Sequence, residues 1–188
     1  MIFGFDFDNT LINYDKIFYS YAIKNQLIKK KNKKDKTSIK KALIKRQKVK
    51  EWTKLQSEVY SHGIHKAKPN KELISILKFL KKKNIKFYIV SHKTKFPYYG
   101  KKINLHKISK RWLDNYIFNK KNRLGNCQYY FESTVKKKII RIRKLKITHF
   151  IDDLKEIISL MPDKVVGILY KKKKIQLNKI KNLVDRKF

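Results

Sequence analysis

The stretch Ile2-Phe3-Gly4-Phe5-Asp6-Phe7-Asp8-Asn9-Thr10-Leu11 decides the fold. Its first four residues are an apolar run, and two acids followed by Asn9-Thr10 stop it. A short apolar run bounded by turn formers reads as a buried strand, here with Asp6 and Asp8 at its carboxyl end. The two acids stand two apart, so both face one side while Phe7 turns into the core. That spacing suits a division of labour in which one carboxylate attacks and the other moves a proton.

The same pattern recurs outward along the chain. Residues 85–90 read as a buried strand ending at Ser91, 128–131 as a short strand, and 147–151 as a strand running into Asp152-Asp153. Residues 165–169 read as a last strand. Helical spacing fills the gaps. Asn70 is placed to cap a helix with a stripe of Leu73, Ile74, Leu77 and Leu80, and Asn84 to close it. Residues 105–118 read as a helix with Ile108, Trp112 and Ile117 inward. Thr134 is placed to cap 135–145, and 154–160 and 175–184 read as further helices. Strands alternating with helices predict an α/β fold, a Rossmann-like three-layer sandwich with a mainly parallel sheet. Residues 1–188 read as a single domain, because the length suits one. About fifty residues separate the first strand from Pro69, too many for a simple crossover. Residues 14–66, with helical recurrences from Ile17 and again from Ile39 to Val59, are expected to form a small helical cap insert after the first strand.

Composition narrows the function classes. The chain has 188 residues, 50 Lys and Arg against 14 Asp and Glu, and a formal charge of +36. Hydrophobic residues make up 41%, including 11 Phe and 11 Tyr, which is enough for a packed core and excludes a disordered basic tail. So much positive charge invites a nucleic-acid partner. Yet only six of the cations are Arg, only three residues are Ala, and Lys, Asn, Ile, Phe and Tyr fill more than half the chain. An A/T-rich coding sequence produces that skew without selection for binding, so nucleic acid is not the favoured partner. Cys127 is the only cysteine, which excludes an internal disulfide and a cysteine-based zinc site. No signal peptide is read at 1–12 and no apolar run reaches a membrane-spanning length. A reduced, cytoplasmic protein with no membrane partner is the expectation.

Four of the 14 acids sit in two tight pairs, each ending an apolar strand. Ligands bind outside the carboxyl ends of such strands. Converging carboxylates repel one another, and a cation offsets the repulsion. Oxygen donors without Cys or clustered His favour Mg2+ over zinc. Phosphoryl transfer needs this arrangement together with cations and donors for the equatorial oxygens. Ser91 and the run Lys136-Lys137-Lys138 offer both. Within that run Lys138 stands first, beside Ile139 and Ile142 near the inner helix face, and then Lys137. His92 and Lys93 follow Ser91 and are placed to read a leaving group, with a hydrogen-bonding role in a second layer as the other reading of His92. His106 reads as a helix-start residue, and Trp52 and Tyr60 of the insert as core packing rather than a stacking platform.

Asp6-Phe7-Asp8-Asn9-Thr10 resembles the DxDxT signature of the haloacid dehalogenase-like (HAD) phosphohydrolases. Ile89-Val90-Ser91 resembles their second motif, the Lys run their third, and Phe150-Ile151-Asp152-Asp153 their fourth in its DD form, all in order across nearly the whole chain. Ser91-His92-Lys93-Thr94 is similar to the SHKT signature of a small bacterial subgroup. The resemblance implies an aspartyl-phosphate on Asp6, with Asp8 protonating the leaving oxygen and then activating water. It implies Mg2+ held by Asp6, the Asp8 carbonyl and Asp152, with Asp153 either a further ligand or a residue in the layer behind the ligands. Thr10 and Ser91 are expected on the phosphate side, and a Lys between Asp6 and phosphate. The implied activity is hydrolysis of a small phosphorylated metabolite, such as a sugar phosphate. The alternatives are a nucleotidase or polynucleotide-end phosphatase, and a non-catalytic basic protein that binds nucleic acid.

Overall fold

A computed structural model describes residues 1–30, 33–122, 124–125, 127–171 and 175–185, with the backbone alone at 175–177. The chain divides into two compact units. The first comprises Met1–Ile12, Pro69–Lys93 and Leu113–Phe188, and the second comprises Asn13–Lys68 and Thr94–Trp112.

The first unit is built on five parallel strands: β1 (Ile2–Phe5), β2 (Lys86–His92), β3 (Tyr129–Glu132), β4 (His149–Asp152) and β5 (Val166–Leu169). Their order across the sheet is β3-β2-β1-β4-β5. The expected α/β fold with its parallel sheet is therefore present. β1 lies in the centre, with Phe5 beside Ile89 of β2 and Ile151 of β4. The chain leaves β1 to one side and later returns to the other, so the carboxyl end of β1 is a topological switch point. Side chains alternate across the sheet. Tyr88, Val90 and Phe150 pack on one face with Ile142 and Ile147, and Phe3, Phe5, Ile89 and Ile151 are buried by the same alternation.

Backbone chemistry sets the helix ends. Helix α4 (Lys71–Lys82) starts where the Asn70 side chain accepts from Glu72 N–H, and α6 (Val135–Lys144) where Thr134 accepts from Lys137 N–H. Asn84 (φ 54°) and Lys146 (φ 52°) follow these helices in the left-handed region, where Asn is the easier residue. The buried stripe of α4 is Leu73, Ile76, Leu77 and Leu80. Ile76 replaces the expected Ile74, because 73, 76, 77 and 80 follow the 3.6-residue repeat and 74 lies off the stripe. The short α7 (Lys155–Ile158) and α8 (Ile175–Asp185) complete this unit.

The second unit is helical: α1 (Asp15–Lys24), α2 (Lys36–Lys45), α3 (Val49–Glu58), a π-helical turn at Val59–Gly63 and the start of α5 (Leu105–Tyr116). The helical pattern of 39–59 is a broken pair, interrupted where Gln47 takes φ 57° and Lys48 N–H bonds back to Leu43. Trp52 stacks on Phe18 at 5.3 Å, and Tyr60 meets Tyr14 and Phe18 edge-on. Both rings pack in this unit's core, and Trp112 anchors α5 by donating to the Ala67 carbonyl at 3.0 Å.

Gly4 shows how tightly the sheet is packed. A Cβ there would lie 2.5 Å from Phe150 Cδ2 and 2.9 Å from Ile147 Cδ1. Gly4→Ala is expected to lower stability by about 1–3 kcal/mol, because the overpacked ring sits in a closed cluster. Urea unfolding of the variant beside the parent chain measures it.

Candidate active site

The polar side chains at the strand ends converge. Asp6 follows β1, and its N–H donates to the Ile151 carbonyl at 2.8 Å, extending the ladder one step. Its carboxylate is almost fully buried. Two donors grip one oxygen: Ser91 Oγ reaches Asp6 Oδ1 at 2.9 Å, and Lys138 Nζ reaches the same atom at 2.6 Å. Lys138 also reaches Asp152 Oδ2 at 2.6 Å, so one ammonium bridges two buried carboxylates. Asp152 Oδ1 accepts from Leu154 N–H at 2.9 Å, which fixes the second carboxylate at the end of β4.

Asp8 is held separately. Lys93 Nζ lies 2.9 Å from its Oδ1 and 2.7 Å from its Oδ2. The same ammonium lies over the Phe7 ring at 5.3 Å. Asp6–Ser91 and Asp8–Lys93 are cross-strand pairs with one common offset of 85 residues. They match because Asp6 and Asp8 step by two along one extension and Ser91 and Lys93 step by two along its parallel neighbour.

Burial and charge perturb this cluster. Burial pushes the Lys138 ammonium down, but Asp6 and Asp152 more than offset it and its pKa ends raised. Burial, and then the Asp6 charge, pushes the Asp152 carboxyl up to about 6 against the opposing pull of Lys138. Asp6, Asp152 and Asp153 each bring one carboxylate oxygen within 4.8 Å of the others. Three carboxylate oxygen donors, two of them buried, converging at neighbouring strand ends fit a hard divalent cation.

The other candidates are placed as follows. Lys136 and Lys137 are exposed on the first turn of α6, and Lys138 alone of the run turns inward. His92 is exposed, since β2 directs Ser91 and Lys93 to the face opposite it. Thr10 is fully buried, and its Oγ1 makes no hydrogen bond with any described residue. Lys93, expected beside the phosphate position, grips Asp8. Its signal was present in the sequence: Ser91-x-Lys93 copies the two-residue step of Asp6-x-Asp8.

The parallel α/β fold with its central strand ending at a switch point is like that of a solved HAD-superfamily hydrolase. The chain is similar to the crystal structure of a HAD-superfamily hydrolase from Ehrlichia chaffeensis, at 19% identity and a TM-score of 0.55 over 97% of each chain. A haloacid dehalogenase-like family hydrolase from Xanthomonas campestris aligns at 6% identity and a TM-score of 0.45, over 99% of this chain and 98% of that one. No family model and no curated protein sequence matches the chain. Among the described residues no helix is long and apolar enough to cross a membrane.

Removing Lys138 leaves two buried carboxylates facing each other. Lys138→Met is expected to cost about 3–5 kcal/mol in EDTA, as for one partner deleted from a buried pair. Added Mg2+ should raise the melting temperature more in the variant than in the parent chain, and differential scanning calorimetry reads both shifts.

Proposed function

We propose that this chain is an Mg2+-dependent phosphatase that hydrolyses a small phosphorylated metabolite through an aspartyl-phosphate on Asp6. One observation carries the reading. A buried carboxylate at the end of the central strand is held by a hydroxyl and an ammonium, with a second carboxylate two residues on. Buried carboxylates that only stabilised a fold would not need a second acid, held by its own lysine, at the same strand end.

The chemistry follows from the groups present. Ser91 and Lys138 fix Oδ1 of Asp6, and Oδ2 accepts no hydrogen bond from any described residue. An Asp6 oxygen attacks phosphorus, the bond to the ester oxygen breaks, and Asp8 supplies the proton that leaves with the alcohol. Asp8 then takes a proton from water, the hydroxide attacks phosphorus, and the acyl–phosphate bond breaks to release inorganic phosphate and restore Asp6. Lys138 offsets charge between Asp6 and the phosphoryl group, and the Ser91 hydroxyl is close enough to turn toward it. Asp6, the Asp8 carbonyl, Asp152 and Asp153 would hold Mg2+, which when bound supplies positive charge for the equatorial oxygens. Lys93 orients Asp8 for both proton transfers, and the wide positive field draws anionic substrates inward.

Asp6→Asn keeps the shape and removes the nucleophile. Turnover of p-nitrophenyl phosphate with Mg2+ should fall by at least about 10³-fold. Unchanged turnover would contradict the assignment. Lys93→Met should lower kcat by up to about 100-fold while moving KM little, because a misaligned proton-transfer group slows the reaction without weakening phosphate binding. Steady-state kinetics on the folded variant separates the two parameters.

A further inference from the structure

We propose that the loop 95–105 of the helical unit is a docking surface for single-stranded nucleic acid. The loop is built and closed. Leu105 N–H donates to the Lys95 carbonyl at 2.8 Å, and Ile103 N–H to the Lys101 carbonyl at 2.8 Å. Thr94 Oγ1 donates to the Phe96 carbonyl at 2.9 Å, and Tyr99 N–H donates to Ser57 Oγ at 3.1 Å. These bonds fix the backbone, yet the rings stay outside. Tyr98 is 76% exposed, Phe96 41% and Tyr99 40%. Every other Phe, Tyr and Trp ring among the described residues is buried or half-buried. A skewed composition supplies many rings and many lysines, but it does not gather the exposed rings at one loop.

The charge around them selects the partner. Residues 94–112 carry Lys95, Lys101, Lys102, Lys107, Lys110 and Arg111 and no acid. Flat rings between cations match a strand whose bases stack and whose phosphates are neutralised. A second copy of this chain would bring a molecule of charge +36 against another, which like-charge repulsion opposes. This surface goes beyond the phosphatase reading and does not depend on it.

The test is fluorescence anisotropy of a labelled oligothymidylate of about twelve nucleotides, titrated with the full chain in EDTA. The parent chain should bind, and Phe96→Ala/Tyr98→Ala should weaken binding about tenfold or more with an unchanged salt slope. Lys101→Ala/Lys102→Ala should instead reduce the salt slope by about 1.4. These positions are exposed, and circular dichroism checks that each variant keeps its helix content. Ring variants that bind as well as the parent chain would overturn the proposal, since bulk charge would then account for binding. So would a dimer in sedimentation that the ring variants lose, because the rings would then join two copies. Without Mg2+ in the assay, its outcome stands apart from that of Asp6→Asn.

Discussion

The Lys138 ammonium, 2.6 Å from Asp6 Oδ1 and 2.6 Å from Asp152 Oδ2, is the contact on which the first unit's chemistry depends. Two carboxylates at neighbouring strand ends repel, and their burial removes the water that would screen them. One buried cation on α6 makes that proximity tolerable. The sheet then keeps β1 and β4 adjacent with their acids side by side, so that Asp6, Asp152 and Asp153 each bring a carboxylate oxygen within 4.8 Å of the others. Burial first, and then the neighbouring Asp6 charge, keep the Asp152 carboxyl raised to about 6 even against Lys138.

The strand ends explain why these groups meet. Parallel strands deliver their carboxyl ends to one edge, and the order β3-β2-β1-β4-β5 places β1 between the two strands that carry Ser91 and Asp152. Two-residue alternation does the rest. It turns Asp6 with Ser91 and Asp8 with Lys93 to the same side and sends His92 to solvent. Phe7 is buried between them, its ring edge-on to Phe131 at 5.5 Å. The two acids are therefore held by different partners, Asp6 by Ser91 and Lys138, Asp8 by Lys93, which is the separation that the proposed division between an attacking group and a proton-moving group needs.

Much of this was legible in the sequence, for definite reasons. Apolar runs stopped by acids mark strand ends, so Asp6, Asp8, Asp152 and Asp153 stand out against a chain with few acids. Helical spacing singled out Lys138, because Ile142 four residues on is buried on the same face. The Asp8–Lys93 pair was less legible. The matching steps are visible in the sequence, but which strand lies beside β1 is a property of the whole sheet. Ile76 was passed over for Ile74 because both suit a hydrophobic stripe until the helix phase is set by its neighbours. The exposed ring cluster at Phe96, Tyr98 and Tyr99 was hidden for the opposite reason, since aromatic residues read as core wherever periodicity is weak.

The central claim is that Asp6 is the atom donor to phosphorus. The most direct measurement is borohydride trapping during turnover of p-nitrophenyl phosphate, followed by peptide mass spectrometry. An acyl phosphate at Asp6 is reduced to homoserine, so the account predicts homoserine at position 6 and unmodified acids at 8, 152 and 153. An active chain whose residue 6 remains aspartate throughout would contradict it, and would assign the attack on phosphorus to water.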